Sequence, residues 1–143
     1  MPPRGGDPSH ALEMARGLKG HVHAVNVTDG SRAVMRMSSL AVARLLLDEG
    51  IEPVLQMAWR DRNRIAIQAD LLGAHALGIR NLLCLTGDPV RAGDQPKARP
   101  VNELESVRLL QQVTAFNRGD DPVKGQLADG PTDIFAGAAA DPQ

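Results

Sequence analysis

Residues 81–89 read Asn-Leu-Leu-Cys-Leu-Thr-Gly-Asp-Pro and join an unbroken apolar run to a polar turn. The apolar residues from Leu82 to Leu85 predict a strand that is buried on both faces. The Thr-Gly-Asp that follows places a hydroxyl, a backbone that a ligand can approach closely and a carboxylate just past the end of this strand. Pro89 ends the strand because proline has no N–H for the ladder. In α/β proteins this edge is where binding sites are built. The alternative is an ordinary turn in which Asp88 bonds to its own backbone.

Similar strand ends recur along the chain about every 30 residues, at Thr28, Trp59 and Asp88, with a helical pattern between each pair. Strands are predicted at residues 23–28, 53–59, 82–85 and 134–139. Helices are predicted at about residues 8–20, 38–50, 64–77 and 102–117. Leu18 would lie on the buried face of the first helix, Asn63 is a candidate N-cap of the third, and Asn102 with Glu105 has the spacing of a capping box at the start of the fourth. A short hairpin is considered within residues 119–133. The spacing indicates βα units, and therefore a parallel sheet with crossover helices.

Two architectures fit this pattern, a doubly wound sheet and a (βα)8 barrel. The turn after Thr28 lacks a Gly-x-Gly-x-x-Gly, which argues against a dinucleotide-binding Rossmann unit. Polar residues after every strand suit the active-site rim of a barrel. The predicted strands are nevertheless too few to close a ring of eight.

Composition narrows the class of protein. The chain has 143 residues, a net charge of −1, a pI of about 6.4 and 2% aromatic residues. These values predict one domain with an aliphatic core and no nucleic-acid partner. There is no signal-peptide character and no apolar run near the roughly 18 residues of a membrane span, so we expect a cytoplasmic protein without a membrane partner. A single cysteine, Cys84, excludes a disulfide framework, and the four histidines do not form a metal-ligand set.

Five motifs stand in the order and spacing of a known family. They are PPRG at residues 2–5, VNVTDG at 25–30, RMSSL at 36–40, RDRNR at 60–64 and LTGD at 85–88. In these motifs the chain resembles the methylenetetrahydrofolate reductases, and most closely the bacterial branch with the longer strand-four loop. The resemblance extends over essentially all of the chain, but over only the first half of the family's barrel.

The resemblance implies an α/β fold, a partial (βα)8 TIM barrel with βα units in a parallel sheet. We interpret residues 1–143 as the N-terminal half of a flavin-binding barrel and as a fragment. The family reduces 5,10-methylenetetrahydrofolate to 5-methyltetrahydrofolate with FAD, so a folate substrate is implied. The electron donor stays open between a nicotinamide and a partner protein, and a homo-oligomer stays open as well. The alternative function is a non-catalytic half-barrel that binds flavin or assembles with another half.

Asp88 resembles the family's acidic residue beside the flavin ring and the folate, and we expect it to be catalytic. Opening the methylene bridge produces a cationic iminium, which a fixed anion in a dry site stabilises. The same charge makes the flavin harder to reduce and so favours hydride release. Gly87 would let the backbone approach the flavin. Thr86 stands where some members carry Arg.

Three more cofactor-binding residues follow from the resemblance. Thr28 resembles the threonine near the flavin and the nicotinamide, although a strand-end residue satisfied locally is the alternative. Asp29 follows it in the same motif. Gln56 takes the place of a flavin-contacting His and can still donate a hydrogen bond.

Several positions depart from the family pattern. Ala58 and Trp59 replace Thr-Cys, and the Trp59 ring would either stack on a ligand or fill space. Asp141 falls where some relatives carry an aromatic flavin contact. The arginines of residues 60–64 would either meet the flavin pyrophosphate or form a solvated loop in which one pairs with Asp61.

The family's general acid is a Glu just before Pro-Pro, whereas here Met1 directly precedes Pro2. Strands six to eight of the family barrel are likewise not matched. A half-barrel exposes sheet edges and apolar faces. We therefore expect this chain to be marginally stable, to self-associate or to bind flavin poorly, and to be inactive alone.

Overall fold

The computed structural model describes residues 1–101 and 106–139. Its strands are β1 (Val25–Val27), β2 (Pro53–Ala58), β3 (Asn81–Leu85) and β4 (Phe135–Ala138), and its helices are α1 (Ser9–Arg16), α2 (Ser39–Asp48), α3 (Arg64–Ala76) and α4 (Ser106–Arg118). The four strands form one parallel sheet in the order β1-β2-β3-β4. The predicted alternation of strand and helix is confirmed.

The strand order decides between the two candidate architectures. A doubly wound sheet reverses its order at a switch point, and the four described strands show no reversal. Helices α2, α3 and α4 all contribute side chains to one hydrophobic core against the sheet. Sequential parallel strands with their helices on one face are consistent with a partial TIM barrel, as the resemblance implied.

The two faces of the sheet differ in burial. Leu55 lies opposite Leu82 and Met57 lies opposite Cys84, and all four side chains are buried in the core. Alternate residues along a strand point to opposite faces. Gln56, between two core residues, is accordingly half-buried on the other face.

Strand β4 shows the same alternation at one edge of the sheet. Ile134 is buried and Ala136 packs against the core, whereas Phe135 between them is 78% exposed. An exposed aromatic ring on an edge strand supports the expected self-association. That expectation stays a prediction.

Two local predictions differ from the structure. Strand β1 is shorter than residues 23–28 because its ladder begins where Val25 pairs with Pro53, the first residue of β2. Residues 119–133 contain no hairpin, so that prediction is wrong. Local bonds replace a ladder there, since the Asp121 carboxylate accepts the N–H groups of the two residues that begin the next turn.

Helix α1 is also shorter than predicted. It begins at Ser9, whose N–H and hydroxyl both donate to the Asp7 carboxylate, and these bonds lower the pKa of Asp7. It ends at Arg16 rather than at Gly20. Leu18, predicted on the buried face, is therefore 44% exposed.

Helix α3 begins where the sequence predicts. The Asn63 side chain accepts the N–H of Ala66 at 2.9 Å, so the predicted N-cap is confirmed. The predicted capping pair Asn102 and Glu105, and Asp141, lie outside the described residues. Within the described ranges, no helix has both the length and the apolar character needed to cross a bilayer.

Candidate functional site

A cleft of about 330 Å³ opens at the carboxyl ends of β2 and β3. Five of the six predicted site residues line it, namely Asp29, Gln56, Thr86, Gly87 and Asp88. The carboxyl ends of parallel strands meet at one edge of a sheet, which is why residues about 30 positions apart converge here. The sixth residue, Thr28, does not line this cleft.

Thr28 follows β1 and is half-buried. Its hydroxyl oxygen is buried and has no hydrogen-bond partner among the described residues. The interpretation of Thr28 as a locally satisfied strand-end residue is therefore wrong. A role in cofactor binding stays a prediction.

Asp88 reaches across the site rather than folding back on its own turn. Its Oδ2 accepts the backbone N–H of Arg32 at 2.6 Å, so the ordinary-turn alternative is wrong. Asp88 also lines a neighbouring cavity of about 470 Å³. Asp88 is exposed, so the described residues do not by themselves exclude water from its carboxylate, as the prediction of a dry site requires.

Asp29 is already engaged by protein groups. Its Oδ2 accepts the N–H of Ala58 at 2.9 Å and pairs with Arg62 at 2.5 Å. The Asp29 side chain is only 12% exposed. Its first role is therefore to connect the turn after β1 with the loop after β2, and cofactor binding by Asp29 stays a prediction.

Two neutral side chains of the cleft have defined partners. Gln56 Nε2 donates to the Asn26 side-chain oxygen at 3.3 Å, which leaves its Oε1 and its second N–H for a ligand. The hydroxyl groups of Thr86 and Ser106 are hydrogen-bonded at 3.0 Å. Asn26 and Ser106 were not predicted, because an isolated Asn or Ser carries no distinctive spacing.

Gly87 has a φ of +91°, in the left-handed region that favours glycine. A Cβ at this position would lie 3.1 Å from Arg60 Cβ and 3.2 Å from Ala58 Cβ. Backbone conformation and packing against β2 are therefore sufficient reasons for a glycine. The approach of a ligand remains a separate prediction.

Residues 60–64 follow β2 and contain three arginines. The prediction of a solvated loop is wrong for Arg60 and Arg62. Arg60 is 6% exposed and the Arg62 side chain 18%. The predicted pairing of one arginine with Asp61 is confirmed for Arg60. Burial lowers the pKa of Arg62, but the carboxylates of Asp29 and Asp70 outweigh it and leave that pKa above its usual value.

Trp59 is 1% exposed and belongs to the hydrophobic core. The space-filling alternative is confirmed, and stacking of this ring on a ligand is wrong. Cys84, on the next strand, is also fully buried, and burial raises the pKa of its thiol to about 12. A protonated thiol is a poor nucleophile, so Cys84 acts as a core residue, although it also borders the cleft.

The loop after β1 contacts the loop after β3. The N–H of Met35 donates to the Asp94 carboxylate at 3.0 Å, and Arg4 pairs with the same carboxylate at 2.7 Å. A Cβ on Gly93 would lie 1.8 Å from the carbonyl oxygen of Ala33. The two loops therefore approach as closely as a glycine allows.

Replacing Gly93 with Ala should destabilise the protein by about 3 kcal/mol, at the upper end for overpacking, because the clash is with backbone. The φ of Gly93 is −104°, which alanine adopts freely, so only the clash is tested. The control is Gly73→Ala in α3, where the added Cβ meets open space and should stabilise the helix by about 0.5–1 kcal/mol. Urea unfolding followed by circular dichroism measures both, and equal effects would contradict the close contact.

Comparison with known proteins adds one finding. A family model described as methylenetetrahydrofolate reductase matches residues 1–131 of the 143-residue chain. No curated protein matches the chain. The matched region contains all five motifs, all six predicted site residues and the first three strands of the sheet. On this match over most of its length, the chain belongs to the methylenetetrahydrofolate reductase family.

Proposed function

We propose that this chain forms the FAD- and folate-binding edge of a reductase that converts 5,10-methylenetetrahydrofolate to 5-methyltetrahydrofolate. The observation that carries the proposal is the convergence of Asp29, Gln56, Thr86, Gly87 and Asp88 on one cleft at the carboxyl edge of the sheet. Membership of the family supplies the reaction class. The site supplies the polar groups that such a reaction needs.

The residues present fit a flavin ring in chemistry and in size. The cleft is about 330 Å³, within the usual range for small-molecule sites. Its wall combines the apolar side chains of Ala58 and Leu85 with the amide of Gln56 and the hydroxyl of Thr86. A flavin ring has apolar faces and a polar edge, so its binding needs both apolar and hydrogen-bonding side chains. A bound flavin would supply the hydride.

Asp88 provides a negative charge at the cleft. The N–H of Arg32 fixes one of its carboxylate oxygens, so the charge is pre-oriented before a substrate binds. A pre-oriented charge stabilises a developing cation without reorganising during the reaction. Because Asp88 is exposed, the bound ligands themselves would have to exclude water from it.

FAD binding by the 143-residue chain tests the proposal. We expect added FAD to give a saturable absorbance shift, although the chain will not retain stoichiometric flavin through purification. Gln56→Ala should weaken binding by about 1 kcal/mol, roughly five- to ten-fold, through loss of one hydrogen bond. Gln68, bonded to Gln112 away from the cleft, provides the matched control Gln68→Ala. Titration without saturation, or equal weakening by both variants, would overturn the proposal.

A further inference from the structure

Three of the five motifs meet at one buried side chain, Arg60. Its residue follows β2, and its guanidinium reaches the turn after β1 and the loop after β3. Only 6% of Arg60 is exposed. Burying a guanidinium costs free energy unless its N–H groups are hydrogen-bonded. The acceptors of Arg60 therefore show which segments it connects.

The acceptors of Arg60 belong to the candidate site. Nη1 donates to the carbonyl oxygen of Asp88 at 3.1 Å and to that of Gly30 at 3.4 Å, and Nη2 also donates to Gly30 at 3.4 Å. Nε donates to the Asp61 carboxylate at 2.8 Å. All three nitrogens are therefore engaged by protein acceptors, which argues against the alternative that Arg60 anchors the flavin pyrophosphate.

The main chain of Arg60 bonds to the same loop at two points. Its N–H donates to the carbonyl oxygen of Thr86 at 3.2 Å, and its own carbonyl oxygen accepts the N–H of Val101 at 2.8 Å. Thr86 and Val101, which lie on either side of Asp88 in the loop, are thus both bonded to the backbone of this one residue.

Two glycines make room for the guanidinium. A Cβ on Gly30 would lie 2.7 Å from Arg60 Nη2, and a Cβ on Gly87 would lie 3.1 Å from Arg60 Cβ. Both glycines have positive φ values. Gly30 of the VNVTDG motif, Gly87 of the LTGD motif and Arg60 of the RDRNR motif therefore form one packing unit.

We propose that Arg60 is a positioning residue that fixes the backbone of Asp88, and through it the carboxylate, against the turn after β1. The planar fork of arginine reaches Gly30, Asp61 and Asp88 together, whereas the single ammonium of lysine does not. The role assigned to Asp88 in this inference rests on the proposed function. The placement of Asp88 by Arg60 does not require it.

Amide hydrogen exchange of the full chain tests the placement without any ligand. The Arg32 N–H is protected by the Asp88 carboxylate, so its exchange rate reports where that carboxylate lies. In Arg60→Gln we expect this amide to exchange about ten-fold faster or more, because hydrogen bonds from a charged group are lost. Amides of α3 should stay protected and show that the fold persists.

Three further variants separate positioning from general stability. Arg60→Lys should recover only part of the protection of the Arg32 amide. Asp61→Asn keeps both carbonyl contacts of Arg60 and should change that protection less than three-fold. Arg118→Gln, which removes an exposed arginine paired with Asp120, is the control and should have no effect. If Arg60→Gln fails to fold, Arg60→Lys decides. Unchanged exchange at Arg32 in the folded variant, or full recovery with lysine, would overturn the inference.

A flavin measurement tests the consequence of the placement. If Asp88 makes the bound flavin harder to reduce, Asp88→Asn and Arg60→Gln should each raise its midpoint potential, and the double variant should raise it no further than Asp88→Asn alone. Additive shifts would show that Arg60 acts independently of Asp88 and would overturn the inference. Failure of the wild-type chain to bind FAD would refute the proposed function, and the exchange measurement would still decide the role of Arg60.

Discussion

Replacing Asp88 with Asn should slow the reduction of 5,10-methylenetetrahydrofolate by about 10²–10³-fold, the usual effect of removing one pre-oriented electrostatic contact to a transition state. In the wild-type chain the Asp88 carboxylate accepts the Arg32 N–H. The asparagine has the same size and still offers an oxygen to that N–H. Only the negative charge is lost. Because the charge acts on a cation that develops during the reaction, kcat should fall more than KM rises.

The assay uses the 143-residue chain and a version lengthened at both ends by flanking coding sequence, since a closed barrel needs eight strands. Asp133→Asn is the matched control, because that carboxylate is 91% exposed and lies 3.8 Å from the guanidinium of Arg80. It should leave the rate unchanged within about two-fold, as an exposed ion pair contributes little. Equal rates for Asp88→Asn and Asp133→Asn in an active version would remove Asp88 from the mechanism.

The second large effect concerns stability. Leu71 lies in α3 with 0% exposure in the core between helix and sheet. Leu71→Ala should lower the free energy of unfolding by about 2–5 kcal/mol, through lost burial and the cavity left behind. Typical domains have only about 5–15 kcal/mol in total, so a chain of marginal stability would be largely unfolded by this change.

Leu72 gives a closely matched comparison for this variant. It is the next residue of the same helix, and 42% of it is exposed. Leu72→Ala makes the same chemical change with the same helix propensity, and should cost less than about 1 kcal/mol. Urea unfolding followed by circular dichroism at 222 nm measures both. Similar losses for the two leucines would mean that α3 does not pack on the sheet as described.

Local signals were sufficient to predict where most elements lie. The helix from Arg64 to Ala76 begins at an Asn63 cap that is visible in the sequence and ends just before Gly78, a residue with positive φ. Apolar runs ended by a polar turn likewise predicted β2 and β3 within one residue at each end. These signals work because caps, turns and strand ends depend on residues that are close in sequence.

The same reasoning failed for the arginines after β2. A run of charged residues indicates a solvated surface, because the sequence shows charge and not depth. Arg60 is buried and Arg62 is half-buried because their acceptors, Gly30, Asp29 and the Asp88 carbonyl, come from 28 to 33 positions away. Such partners become neighbours only when parallel strands bring successive loops to one edge.

The sequence by itself determined the βα alternation, the parallel sheet and the family, because periodicity and short motifs are local properties of the chain. Only the tertiary structure decided which polar groups bond to one another, including the Asp88 carboxylate with the Arg32 N–H, 56 positions away. It also decided that Thr28 lies outside the cleft that the other predicted residues share. Hydrogen bonds and ion pairs depend on distances of about 3 Å, and those distances are set by how the loops meet after the strands are in register.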